Sequence, residues 1–216
     1  MLQLGFRLAN VVVRGEEVVI GKDLDRVADL VGVPRPSHIP LPAEELFKKW
    51  IKILRAAQRY VRQVPNDQIS SDATPVRRRS IRLLEHHLFS IGAAFVECAA
   101  NGAKDLQERA EPPLQDGTFM TGDEMARYAD EVIARIEEWW NGLADKSCQE
   151  EIEIVYPGIT VRYSSLNILL DRCVWHSTQH TRQIADLLEQ RWGIEPDGRL
   201  TGENLAGLPL PKRIWD

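Results

Sequence analysis

Apolar positions recur at spacings of three and four along most of this chain, which is the signature of helices with one buried face. Leu46, Trp50, Ile53, Leu54, Ala57 and Val61 predict a first long helix over about 43–64. Thr74 as N-cap and Pro75 at the first helical position open a second, whose stripe is Ile81, Leu84, Leu88, Ile91 and Phe95 and whose stop is Asn101-Gly102. Thr121 and Glu124 have the spacing of a capping box and start a third, ending near Leu143. Period-two alternation then predicts a hairpin, Glu151 to Val155 and Ile159 to Tyr163, turning at Tyr156-Pro157-Gly158. A fourth helix runs from about Ser165 to Trp192 and stops at Gly193. Four such helices with two long connections predict a mainly α fold, a four-helix bundle whose core can hold ligands from facing helices. The tail LAGLPLPKRIWD is apolar and proline-rich, and is expected to pack on that bundle.

The beginning of the chain has a different texture. Asn10 to Val13 and Glu17 to Ile20 are short β-branched runs around Arg14-Gly15-Glu16. An amphipathic stretch follows, Leu24, Val27, Ala28, Leu30 and Val31, with Asp23 placed to cap its start and Gly32 its end. Pro34, Pro36, Pro40 and Pro42 then forbid a continuous helix. The expected organisation is a small β-hairpin plus helix over 1–35, a linker over 36–41 and the bundle over 42–216.

Composition narrows the possible functions. The chain has 216 residues and a formal charge of -5, which argues against broad binding to nucleic acid or anionic membrane. No apolar run approaches the roughly 20 residues that span a bilayer. Cys98, Cys148 and Cys173 are far apart and odd in number, so neither a disulfide scaffold nor a cysteine metal knot is expected. With no recognisable signal peptide, a cytoplasmic protein is expected. The run Arg77-Arg78-Arg79 with Arg82 is expected to be a solvated face, paired with acidic residues of the third helix (Asp130, Glu131, Glu137 and Glu138).

Four of the five histidines fall in two clusters. His176 and His180 lie one helical turn apart on a stripe with Leu169, Cys173, Gln183, Ile184 and Leu187, so they look inward and can share one divalent ion. His87 lies at the edge of the second helix's apolar stripe and can reach that pair. The competing reading of His87 is a half-buried histidine bonded to a neighbour. His86 points nearly opposite and is expected in solvent, as is His38 in the linker. Cys173 reads as a buried small hydrophobe. Trp139, Trp140 and Trp175 read as core and bundle-end packing.

The strings LLEHHLFSIGAAF, VWHSTQHTRQIADLLEQRWG and GLPLPKRIWD carry a family resemblance. From about Pro42 onward the chain resembles the DinB-like family, four-helix bundles related to bacillithiol transferases and mycothiol-dependent maleylpyruvate isomerase. The family hallmark is one histidine from the second helix and an H-x-x-x-H pair from the last. Here these are His87, His176 and His180, with Gln183-Ile184 completing H-x-x-x-H-x-x-Q-I. The stretch NVVVRGEEVVIGKDLDRVADLVGV is similar to the closing part of a glutaredoxin. No cysteine precedes Cys98, so glutaredoxin redox chemistry is not expected. The resemblance also implies a homodimer.

Three neutral nitrogens leave a divalent ion with at least one open position, the mark of a catalytic site. The ion could be zinc, nickel or ferrous iron. Such an ion lowers the pKa of bound water towards 7 and deprotonates a bound thiol. The leading reading is a metal-dependent transferase acting on a small-molecule substrate with a low-molecular-weight thiol. Two others stay open: a non-catalytic, metal-stabilised dimerisation or sensing module, and a hydrolase using a metal-bound water. Gln179 and Gln183 are placed to orient the imidazoles, and Arg172 to meet a substrate carboxylate or to form a surface salt bridge. Glu85 and Asp171 point away from the ligand stripe. The absence of H-E-x-x-H spacing disfavours a zinc-protease mechanism.

Overall fold

A computed structural model describes residues 11–21, 24–34, 38–74, 79–156 and 159–215. The described chain is mainly helical, with two small antiparallel hairpins. Strands β1 (Val11–Arg14) and β2 (Glu17–Ile20) form the first hairpin, and α1 (Leu24–Val31) packs on it. Arg14 fastens the two by donating to the Leu30 carbonyl at 2.6 Å. Val19, Ala28 and Leu30 are buried outside the main core cluster. Gly32 ends α1 with φ +73, a conformation that costs any other residue strain. Asp23, expected as the cap of α1, lies outside the described residues.

Four helices carry the main core: α2 (Ala43–Gln63), α3 (Ile81–Asn101), α5 (Gly122–Gly142) and α6 (Leu166–Asp186). Between them lie the short α4 (Leu106–Ala110) and a second hairpin, β3 (Ile152–Tyr156) with β4 (Ile159–Tyr163). The short α7 (Gly202–Leu205) follows α6 and packs on α2. Helix α6 widens into a π turn over Leu187–Arg191 before stopping at Gly193, where φ is +65.

Side-chain pairings set the directions of the helices. Phe47 stacks on Trp140, Arg55 bonds Asp130, Gln58 donates to the Ala126 carbonyl and Arg62 pairs with Asp123, so α2 and α5 run antiparallel. His86 stacks on Tyr128, Gly92 faces Val132 and Ile136, and Phe95 meets Trp139 edge-on, so α3 and α5 run parallel. Ser177 donates to the Leu88 carbonyl, Ile91 shares a cleft with Cys173, and Cys98 shares another hollow with Leu166, so α3 and α6 run antiparallel. Contacts join α2 to α5 and α6, and α3 to the same two, which closes a ring in the order α2, α5, α3, α6.

The parallel pair has a topological cost. Because α3 ends where α5 cannot begin, residues 102–121 must return along the helices, a distance of about 30 Å for a 21-residue helix. Helix α4 is the middle of this return and lies against α3 and β3.

Two expectations need correction here. Helix α3 begins at Ile81, with the Ser80 side chain accepting from the Leu83 amide at 3.3 Å. Thr74 is therefore not its cap, and Pro75 lies outside the described residues. Arg82, the one member of the basic run whose bonds settle the point, does not pair with the acidic residues of α5. Arg82 donates to the Thr118 carbonyl at 2.9 Å, Asp130 is taken by Arg55, and Arg77 and Arg78 lie outside the described residues. Thr121 and Glu124 do form the expected capping box on α5, at 3.2 and 3.3 Å.

Gly122 shows how tightly α5 enters the core. A Cβ there would stand 2.2 Å from the Val61 carbonyl oxygen, a backbone atom that cannot swing away. At Gly142, the other end of the same helix, a Cβ would meet nothing within 4 Å. Gly122→Ala is therefore expected to destabilise the fold by about 2–3 kcal/mol through overpacking. Gly142→Ala is expected to be neutral or stabilising by up to ~1 kcal/mol. Urea denaturation of the two variants checks the contrast; equal effects would contradict it.

Candidate metal centre

The antiparallel contact of α3 with α6 brings one histidine of α3 against two of α6. The ring centroid of His87 is 5.0 Å from that of His176 and 5.1 Å from that of His180. The α6 pair is 4.8 Å apart. One ring nitrogen from each of the three lies within 4.8 Å of the others. Nitrogens bound to one ion at roughly 2.1 Å would stand about 3.4 Å apart, so modest side-chain rotation closes the triad. His87 and His180 are buried and His176 is partly so.

Each buried imidazole needs a reason to stay neutral and a partner to set its tautomer. Burial, then the proximity of His180, pushes the His87 pKa down to about 3. Burial and both neighbouring imidazoles hold His176 well below the usual histidine range. At neutral pH these rings therefore carry nitrogen lone pairs, as metal ligation requires. A main-chain carbonyl only accepts, so the 2.7 Å contact of His87 Nδ1 with the Ala110 oxygen makes Nδ1 the protonated nitrogen. Nε2 is then the ligand atom. Ser90 donates to the same carbonyl at 2.6 Å. The return segment 102–121 thus supplies the acceptor that orients His87.

His180 is held in another way. Its Nδ1 lies 2.7 Å from Gln183 Oε1, and Gln183 Nε2 donates to the Ile214 carbonyl at 3.1 Å. Because that donor fixes which end of the amide is oxygen, His180 must donate from Nδ1, and Nε2 again becomes the lone-pair nitrogen. Gln179 does not bond a histidine. It donates to the same Ile214 carbonyl at 2.6 Å and accepts from Arg182. Trp215 anchors the tail further by donating to Asp186 at 2.6 Å.

One side of the triad opens into a cleft lined by His87, Ile91, Leu106, Glu111, Arg172 and His176, among others. It comprises about 460 Å³ of unoccupied space, mouth included. Glu111 stands at the rim with a carboxylate oxygen 4.0 Å from His87 Nε2. Arg172 lines this cleft and reaches Tyr156. The surface salt bridge considered for it is absent among the described residues. Cys173 is buried, and burial pushes its thiol up to about 12, which makes it inert as a nucleophile. Cys98 and Cys148 are likewise pushed up to about 11 by burial.

His86 is not in solvent. It is buried between α3 and α5, stacked on Tyr128 with ring centroids 5.1 Å apart, and burial pushes its pKa down to about 4. The reason is that α3 packs against α4, α5 and α6 together and has almost no outer face. His38 is partly exposed, and its Nε2 lies 3.0 Å from an Asp171 carboxylate oxygen. Asp171 itself is buried, facing this linker contact. Glu85 is fully buried, and neither of its oxygens finds a hydrogen-bond partner among the described residues. The sequence reading missed the Ala110 and Ile214 carbonyls, because a backbone oxygen is common to every residue. It also missed Tyr156 and Tyr163, which carried no motif.

Compared with models of known protein families, with curated proteins and with solved structures, the chain matches none. No described helix is long and apolar enough to cross a membrane.

Two expectations follow from this geometry. Gln183→Ala removes the group that sets the His180 tautomer and lowers affinity for zinc roughly 10–100-fold while leaving the helical content intact. Competition with a chromophoric chelator measures this; unchanged affinity would contradict the coupling. Burial holds the Glu85 pKa well above 4.5 in the folded chain. Folding therefore favours its protonated form, and that contribution is complete below the unfolded pKa near 4.5 and is lost as pH rises towards the folded value. Glu85→Gln should accordingly gain stability over wild type as pH is raised from about 4 to 8. Denaturant midpoints across that range check the sign.

Proposed function

We propose that this chain is a divalent-metal-dependent enzyme of the DinB-like, four-helix-bundle type, with His87, His176 and His180 holding the ion. The convergence of these three imidazoles carries the reading. The protein residues fit a metal: three imidazole nitrogen donors, two with Nδ1 committed to fixed acceptors, suit zinc, nickel or ferrous iron. The ring of α2, α5, α3 and α6 is the scaffold on which the bundle reading rests. On the same reading, residues 42–216 form the bundle, and residues 1–35 are a glutaredoxin-like remnant joined by 36–41.

When bound, the ion supplies an open coordination position that lowers the pKa of a thiol or water placed there. The chain's own groups do the rest. The Ala110 carbonyl and Gln183 keep the imidazoles turned inwards. Ile91 and Leu106 give the cleft an apolar wall. The three cysteines are buried thiols with raised pKa values, so a thiol nucleophile would come from outside, as a low-molecular-weight co-substrate. This favours a thiol-dependent transferase. The open cleft beside the triad favours an enzyme over a purely structural or sensing metal site, which would be closed.

Protein purified without chelator should carry about one divalent ion per chain. His87→Ala, His176→Ala and His180→Ala should each lose it with retained circular dichroism. Mass-spectrometric metal analysis reads this. Metal content indifferent to all three variants would overturn the site. Consumption of a small thiol with an epoxide, present in wild type and lost in the variants, supports the transferase; turnover without any thiol would favour the hydrolase instead.

A further inference from the structure

The cleft beside the histidine triad contains a cation that no carboxylate of the described residues neutralises. Arg172 sits one helical turn before His176 on α6 and lines the same cleft as His176 and His87. Its guanidinium is mostly withdrawn from water, and the groups acting on it are Tyr163, Tyr156 and Cys173. Burial raises both the Tyr163 hydroxyl and the Cys173 thiol, so neither is an anion at neutral pH. No carboxylate of the described residues ion-pairs with Arg172. A desolvated, uncompensated charge is costly to a fold and is retained where a ligand completes it.

The surrounding geometry holds this charge in place. Tyr156 and Tyr163 project from one face of the β3–β4 hairpin, with their hydroxyls 3.0 Å apart, and Tyr156 reaches the Arg172 side chain. The hairpin therefore acts as a wall that fixes the guanidinium at the cleft. Opposite, Ile91 and Leu106 are apolar. Glu111 also lines the cleft but is exposed, and it forms no ion pair with Arg172. A divalent ion on the triad would add two further positive charges to a cleft with no buried anion among its described lining residues.

The geometry points to Arg172 as the anchor for a carboxylate: the cleft binds a small carboxylic acid whose second donor group faces the histidine triad. A single planar guanidinium matches a carboxylate in charge and in its forked geometry. A phosphate dianion would call for more donors than this one side chain. The inference deepens the metal-centre reading and rests on it for the orientation of the ligand, but not for the contact with Arg172.

Two arms keep the two readings separable. In the metal-free protein, the Arg172 Nε–Hε resonance is followed by ¹⁵N NMR, assigned with Arg172→Gln, during titration with propionate, propionamide or inorganic phosphate. Propionate should shift it and bind about tenfold or more tightly than propionamide, the discrimination of one charge-assisted contact. Equal binding of acid and amide, or tighter binding of phosphate, would overturn the proposal. In zinc-loaded protein, calorimetry compares mercaptoacetate with mercaptoacetamide. Wild type should prefer the acid, and Arg172→Gln should abolish that preference at unchanged zinc content and little-changed amide affinity. Tyr156→Phe, which loosens the guanidinium without removing its charge, should reduce the preference and serves if Arg172→Gln fails to fold. Wild type that holds no zinc would sink the metal-centre reading while the propionate arm still decides this one. Zinc bound normally with no preference for the acid would sink this one alone.

Discussion

Three imidazoles buried within reach of one another can coexist only while all of them stay uncharged. Everything about the centre of this molecule serves that condition. The packing of α3 on α6 buries His87 and His176 enough to make their protonation expensive, and the neighbouring imidazoles discourage it further. Neutrality then leaves lone pairs with nowhere to go but the shared space between the rings. The same condition explains why orientation is handled by neutral acceptors, a main-chain carbonyl for His87 and a carboxamide for His180. A carboxylate in either position would have favoured the imidazolium and weakened the arrangement.

The helix directions make this geometry possible. Antiparallel α3 and α6 place His87 opposite a pair spaced one turn apart, while the parallel α3 and α5 force the chain to travel the length of the helices between them. That return path costs loop entropy. In exchange it lays Ala110 across the site and gives the cleft one of its walls. The C-terminal segment does the equivalent on the other side, where the Ile214 carbonyl receives both Gln179 and Gln183. The site is thus built from α3 and α6 and oriented by the end of α4 and by the C-terminal segment.

Much of this was legible in the order of residues. Helix α2 and the Thr121 capping box follow directly from spacing and cap chemistry, and the inward face of His176 and His180 follows from their apolar stripe. The start of α3 did not, because Thr74-Pro75 has the form of a helix opening and Ser80, with no proline after it, does not. His86 was misplaced for a related reason. A helical wheel assumes one wet face, whereas α3 is covered on three sides. The uncharged run from His86 to Val96 carries that information, since an all-round apolar helix is a buried one. The charge on Arg172 was visible in the sequence, but its isolation from carboxylates depends on where β3 and β4 fold, which no local pattern specifies.

The two main-chain carbonyls that orient the site have a consequence for how freely the sequence can change around it. An oxygen of the backbone is present whatever residue occupies the position, so positions 110 and 214 face a limit of size but none of side-chain chemistry. Ala110 is buried and leaves little room for bulk, yet a glycine or serine there would present the same acceptor. Divergent chains could therefore preserve this arrangement of imidazoles while sharing few residues beyond the histidines and Gln183. Recognition of the site across such distances then depends on three-dimensional placement more than on any string of letters.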